Sequence, residues 1–201
     1  MLKQTEQTHP HIGEPVWELA RLYPAQGDWS ERDYLNLEVN WLIEYSNGIL
    51  EVLEMPTPYH QNIVALINDE LRSWIKTHST GYTYFAPVPL NIFSGRYREP
   101  DLIFCFERQH TRDSKQLTHA DLGVEVVSND RDHDFVTKRE EYAVSGIPEY
   151  WIVDPKQEEI HILVLEKSDY VERGIFARGQ VATSALLPGF EVRVSELFDE
   201  A

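Results

Sequence analysis

The stretch GVEVVSNDRDHDFVTKREEYAVSGIPEYWIVDP, residues 123–155, decides the fold. Two short apolar runs, Val124–Val127 and Tyr150–Val153, bracket a segment from about Asp132 to Ser145 with Phe135, Lys138 and Tyr142 at helical spacing. Gly146 suits a helix C-terminal cap, and Pro148 forbids continuation of that helix. Strand, helix and strand in this order predict a crossover connection, which makes the flanking strands parallel and the turn right-handed.

Outward from this unit the chain alternates in the same manner. On the C-terminal side, Ile160–Glu166 and Val171–Phe176 read as an antiparallel pair, followed by a mixed tail that closes near Leu197. On the N-terminal side, strands are expected at Tyr82–Ala86, Leu90–Phe93 and Leu102–Phe106, the last followed by a polar loop from Glu107 to Ala120 that is free to move. Pro58 to His78 carries Ile63, Leu66, Ile67, Leu71, Trp74 and Ile75 at intervals of three and four, which predicts the longest helix. Trp41–Tyr45 and Gly48–Glu54 read as two antiparallel strands joined at Asn47-Gly48, a pair suited to the positive φ angles of a tight hairpin. Ser30 and Asp33 have capping-box spacing ahead of Tyr34 and Leu35, so a short helix begins there. Residues 1–27 hold scattered Pro and Gly with no period and read as an irregular arm, leaving 28–201 as one domain. The fold class is α/β (α+β): a mixed β-sheet flanked by α-helices.

Composition constrains function. With 42% hydrophobic residues in 201, there is material for one sizeable core. No run approaches the roughly 18 apolar residues of a membrane span, and the opening residues lack a signal-peptide core, so a soluble, cytoplasmic protein with no membrane partner is expected. The single cysteine, Cys105, sits in an apolar run, where it packs as a small hydrophobe. A net charge of −16 opposes DNA binding, because affinity for a duplex comes mainly from cations that neutralise phosphates. A local cationic groove or a bound divalent ion would reverse that potential where it matters.

Against this background Glu125 stands out, a carboxylate between Val124 and Val126. If the strand lies at an edge, Glu125 faces water and nothing follows. If the strand is central, the charge needs a compensating cation, donors or a metal. Asp101, after Pro100 at the head of Leu102–Phe106, is the second acid; it would serve equally well as a turn residue. Two acids near neighbouring strands make a site for Mg²⁺, which uses one or two carboxylates and keeps several waters. Lys138 shares a stripe with Phe135 and Tyr142, so a core-facing Phe and Tyr would aim the amine inward; otherwise it forms an exposed pair with Asp134. Asp130, Asp132 and Asp134 read as capping and solvated loop acids. Arg96, Arg98, Lys115, Arg131 and Arg139 are candidate phosphate contacts whose simpler fate is a solvated surface.

Glu44-Tyr-Ser-Asn-Gly48, His60, Pro100-Asp101, Glu125-Val-Val, Lys138, Tyr142 and Gly146-Ile-Pro-Glu-Tyr-Trp-Ile-Val-Asp-Pro155 together resemble the Uma-two family of the PD-(D/E)XK restriction-endonuclease-like superfamily, over roughly 30–197. The resemblance implies a restriction-endonuclease-like core and an Mg²⁺-dependent nuclease site acting on DNA, with Mn²⁺ as a substitute ion. It further implies that Asp101, Glu125 and the carbonyl of Val126 hold the metal and that Lys138 assists the attacking water. Glu44 would add a carboxylate, or else be a surface acid of the hairpin. The superfamily's simplest pattern expects a lysine at the position of Val127, and Lys138 on the following helix takes its place. His60 reads either as a helix N-terminal residue or as a participant in the site, and Tyr142 as a packing residue. A homodimer would suit the cutting of two strands. Two other functions fit less of the pattern: a noncatalytic acidic protein-interaction module that retains the fold, and glycoside hydrolysis by paired carboxylates.

Overall fold

The computed structural model describes residues 23–39, 41–108 and 114–201; residues 1–22 of the expected arm lie outside them. Among the described residues the chain forms α1 (Glu31–Leu35), the hairpin β1 (Ile43–Ser46) and β2 (Ile49–Val52), and the long helix α2 (Pro58–His78). Then come β3 (Tyr82–Phe85), β4 (Leu90–Phe93), β5 (Arg96–Arg98), β6 (Leu102–Cys105) and β7 (Leu122–Val126). A π-helical turn at His133–Lys138 leads into α3 (Arg139–Ser145), followed by β8 (Glu149–Asp154), β9 (Glu159–Glu166) and β10 (Asp169–Ala177). The short strands β11 (Val181–Thr183) and β12 (Glu191–Arg193) and the helix α4 (Val194–Glu200) close the chain.

The principal sheet has six strands in the order β10-β9-β8-β7-β6-β3. The β7–β8 pair is parallel, as the crossover requires, and the other neighbours are antiparallel. The strand of Glu125 is therefore internal, and all five of its residues are buried. Side chains alternate across it. Leu122, Val124 and Val126 face a core that includes Ile63, Ile67, Leu71 and Trp74 of α2 and Leu197 and Phe198 of α4. On the opposite face Ile103, Cys105, Tyr150 and Ile152 pack with Tyr142, Ala143 and Ile147 from α3 and its C-terminal cap. Glu125 belongs to that second face. A separate four-stranded sheet has the order β2-β1-β5-β4, so the chain passes from one sheet to the other at Glu99-Pro100-Asp101, between β5 and β6.

Local chemistry accounts for the element ends. Thr57 caps α2 by accepting from the His60 N–H at 3.1 Å, with Pro58 in the first turn, where its missing N–H has no intrahelical partner to lose. Ser30 and Asp33 form the reciprocal capping box at the start of α1. Asn47 and Gly48 take φ of 46° and 89° in the β1–β2 turn, and a Cβ on Gly48 would collide with the Gly27 carbonyl. The free edge of β2 is covered from the N-terminal side: the N–H groups of Gly27 and Trp29 donate to Gly48 O, and the Gln26 amide pairs with both the N–H and the carbonyl of Leu50. Tyr34 of α1 stacks on Tyr45 of β1 at 5.4 Å and tilts against Tyr97 of β5 at 5.5 Å, fastening α1 to the smaller sheet.

In the string Gly146–Pro155, Gly146 is the left-handed cap of α3 at φ 80°. Glu149 is buried and fully satisfied, accepting from Trp151 Nε1, Ser184 Oγ, Ala185 N and Leu186 N at 2.7–2.8 Å. That carboxylate pins the chain leading from β11 onto the end of β8.

Several expectations need correction. The helix expected from Asp132 is π-helical through Lys138 and α-helical only from Arg139. A strand at Arg96–Arg98 was not foreseen, nor were β11, β12 and α4 within the closing tail. The polar loop after β6 includes residues 109–113, outside those described, but its far end is tied down: Leu117 is buried and exchanges backbone hydrogen bonds with Pro89 and Asn91. No helix among the described residues is long and apolar enough to cross a membrane.

Candidate functional site

Pairing register builds the site. Leu102 of β6 lies opposite Val124 of β7 in an antiparallel pair, so one step further the register brings Asp101 opposite Glu125. Asp101 Oδ2 accepts the Val126 N–H at 2.8 Å and lies 3.2 Å from His60 Nε2. The same His60 nitrogen is 3.0 Å from the Val126 carbonyl. A carbonyl only accepts, so Nε2 carries the hydrogen. Burial works against a charge on this ring, but the Asp101 carboxylate and the Val126 carbonyl overcome it and raise the imidazole above its ordinary value.

Glu125 makes its contacts on the other side. Lys138 Nζ lies 2.8 Å from Oε2, and the Tyr142 hydroxyl donates to Oε1 at 2.6 Å. Burial raises the Glu125 carboxyl; Lys138 opposes that shift, and the charges of Asp101 and Asp134 add to it. The Tyr142 phenol is held protonated by burial and by Glu125. Lys138 also lies 3.2 Å from Asp134 and 3.9 Å from Glu44. Burial alone would discharge the amine, but the three carboxylates, with Asp101 beyond them, hold it firmly cationic. The pair with Asp134 that sequence spacing would put in solvent is thus present but buried, and Asp134 is not the solvated loop acid expected. Asp130 does cap, accepting from His133 N.

A second cluster adjoins the first. Tyr45 pairs with Tyr97 across β1 and β5, so Arg98 falls opposite Glu44, and on its other side Glu44 is opposite Glu51 of β2. Like charges directly opposed on neighbouring strands destabilise a sheet unless a cation joins them. Arg98 supplies it: one terminal nitrogen contacts Glu44 and lies 2.7 Å from Glu51, while Nε and the other nitrogen grip Glu141 of α3 at 2.6 and 3.0 Å. Arg98 and Glu44 are both buried, so neither the phosphate contact considered for Arg98 nor the hairpin surface acid considered for Glu44 is what the structure contains. Burial works to raise the Glu44 carboxyl, but the Lys138 ammonium, the His133 hydrogen bond and Arg98 overcome it and hold it at about 2. Of the other candidate phosphate contacts, Arg96 joins Glu51 and Glu141, Arg131 bonds Asp154, Lys115 bonds Asn36, and Arg139 bonds the Tyr170 carbonyl.

Glu99, between the two clusters, was not singled out from sequence. Its carboxyl accepts from Ile43 N at 3.1 Å and faces the Tyr34 hydroxyl at 3.4 Å. Burial pushes it up to about 7, with the Glu44 charge adding and the Ile43 N–H opposing. Because the folded state holds this proton more tightly than an unfolded Glu, ionising it costs stability as pH rises from about 4.5 towards 7. Glu99→Gln is therefore expected to raise the unfolding free energy by about 1–3 kcal/mol at pH 8, with a gain that shrinks towards pH 4.5, read from urea titrations of both proteins across that range.

Among the described residues no group of three or more His, Cys, Asp or Glu side chains is arranged to hold a metal ion. The set built from Asp101, Glu125 and the Val126 carbonyl is of hard oxygen donors, the chemistry suited to Mg²⁺, with two of the oxygens converging on the point that His60 Nε2 touches. The donor chemistry fits such an ion.

A mixed sheet flanked by helices is a restriction-endonuclease-like fold, and in this chain Asp101 lies opposite Glu125 with the buried Lys138 beside it. The structure is similar to the crystal structure of a "putative nuclease belonging to DUF820" from Anabaena variabilis ATCC 29413, with a TM-score of 0.66 and 17% identity, covering 84% of this chain and 96% of that one. The family model Uma2, described as "Putative restriction endonuclease", matches residues 31–195, and the chain belongs to that family. A search of the curated proteins returned no match.

Proposed function

We propose that this protein is an endonuclease that hydrolyses DNA phosphodiester bonds with Mg²⁺, or Mn²⁺ in its place. The observation that carries the proposal is the Lys138 ammonium fixed 2.8 Å from Glu125 at the end of β7, where Asp101 stands on the adjoining strand. A buried lysine surrounded by carboxylates is held charged and immobile, which suits a group that must offset charge as it develops on a phosphate. Asp101, Glu125 and the Val126 carbonyl would hold the ion. When bound, it would act as a Lewis acid on the phosphate and make a coordinated water more acidic. Lys138 would orient the attacking water, Glu44 and Asp134 keep the amine in place, and the Tyr142 hydroxyl fixes one oxygen of Glu125.

Glu44, Glu51, Glu125, Asp134 and Glu141 contact Lys138 or Arg98, with the charge of Asp101 beyond them. This surplus of acids would repel a phosphate backbone unless a divalent ion were added. Such an enzyme would work in the cytoplasm, and a homodimer would present two sites to the two strands of a duplex. A second reading, a noncatalytic protein-interaction module on the same fold, is favoured by the net charge of −16.

Incubation of the purified protein with supercoiled plasmid and Mg²⁺ or Mn²⁺ separates the two. The expected outcome is nicking or linearisation by the wild type and loss to the enzyme-free background in Asp101→Asn. Equal cleavage by both proteins, or none by either, overturns the nuclease assignment.

A further inference from the structure

We infer that His60 is the resident occupant of the ion position, and that a divalent cation binds only by displacing its Nε2–H from the Val126 carbonyl and the Asp101 carboxylate. This rests on the reading of Asp101, Glu125 and Val126 as ion ligands.

One N–H reaches two of the three oxygens in that set, at 3.0 and 3.2 Å. An Mg²⁺ ion sits about 2.1 Å from its oxygens, so it cannot share the place with a hydrogen directed at the same two atoms. Nor does the ring present itself as a ligand. The nitrogen that faces the oxygens carries the hydrogen and has no lone pair to offer. A ligating histidine almost always donates its other ring N–H to an acceptor, which fixes tautomer and orientation. His60 Nδ1 is buried and has no hydrogen-bond partner among the described residues. Among the described residues the ring's hydrogen bonds therefore lie only on the side that the ion would take. The backbone at His60 is fixed, because its N–H caps onto Thr57 in the first turn of α2, so the side chain alone must swing away.

Binding then carries the loss of two hydrogen bonds, one of them to a charged acceptor. Removing the imidazole should tighten Mn²⁺ binding by roughly five- to a hundredfold. Calorimetric titration of Mn²⁺ into wild type, His60→Ala, His60→Gln and Asp101→Asn tests this. His60→Ala is expected to bind at least fivefold more tightly than wild type. His60→Gln, whose amide restores an N–H donor on a side chain of similar reach, should stay within about threefold of wild type. Asp101→Asn should lose binding. If His60→Ala binds equally or more weakly while Asp101→Asn loses binding, the displacement idea fails and the ion site stands. If Asp101→Asn binds as wild type does, or no protein binds Mn²⁺, the ion reading fails and the displacement idea with it.

A measurement on the unaltered protein guards against a variant that does not fold. Long-range ¹H–¹⁵N spectra should show the His60 Nε2 protonated before and after saturation with Mg²⁺, with its resonance shifted as the carbonyl hydrogen bond is lost. An unshifted resonance, or deprotonation of Nε2 on adding the ion, overturns the inference.

Discussion

Arg98→Leu is expected to lower the unfolding free energy by about 3–5 kcal/mol, the range for breaking a buried ion pair from one side. For a chain of this size that is a fall in Tm of roughly 6–20 °C, measurable by calorimetry. The loss is concentrated at Glu44. Glu51 and Glu141 keep some exposure and can turn to water, whereas Glu44 has none and would rely on His133 at 3.3 Å and Lys138 at 3.9 Å. Arg98→Lys should recover only part of the deficit, because an ammonium cannot reproduce the forked grip on Glu141 while also reaching Glu44 and Glu51. The Glu44 contribution follows the sign of a depressed carboxyl. It is complete above about pH 4.5 and fades as pH falls towards 2, so wild type and Arg98→Leu should converge in acid. A deficit under 1 kcal/mol at pH 7 would mean that the carboxylates find water or protons without the guanidinium.

Lys138→Met is expected to have two effects that can be separated. Stability should fall by about 3–5 kcal/mol, since Glu125, Asp134 and Glu44 lose the cation they share. Plasmid cleavage should fall to background. A loss of activity alone could follow from unfolding, so the informative protein is the double variant Lys138→Met with Asp134→Asn, which leaves the proposed ion ligands intact. It buries one carboxylate fewer, and the two residues are in contact, so their effects on stability should be strongly non-additive: the pair should be more stable than Lys138→Met alone. Cleavage should remain absent. Recovery of cleavage together with stability would show that Lys138 serves the fold and not the reaction.

How far these clusters could be read from sequence depends on which interactions are local. The Asn47-Gly48 turn, the Ser30–Asp33 box, the bounds of α2 and the parallel β7–β8 crossover all follow from near neighbours in the chain, and the structure contains them. Glu125 and Lys138 were legible as a suspicious strand acid and an inward-facing stripe. The structure brings them into contact at 2.8 Å. Arg98, Glu44 and Glu51 were not legible as a unit, because what joins them is the register of three strands drawn from distant segments. A pattern such as Arg96-Tyr97-Arg98 alone suggests a solvated surface. Asp134, a loop acid by local spacing, is buried within a π-helical turn that spacing alone does not reveal. The contact of His60 with Val126 joins positions 66 apart, and only the apposition of α2 with the end of β7 creates it.

That wide turn restricts how the molecule can change. His133–Lys138 is wound in steps of five residues, and α3 resumes the ordinary winding immediately after it. An inserted residue that the winding did not absorb would swing all that follows by about 100° around the helix axis, taking the amine out of its pocket and Tyr142 off the sheet, whereas a deleted one would let the turn tighten to ordinary α-helical winding. The wide turn is therefore the place in this helix where the chain carries one residue more than α-helical winding needs.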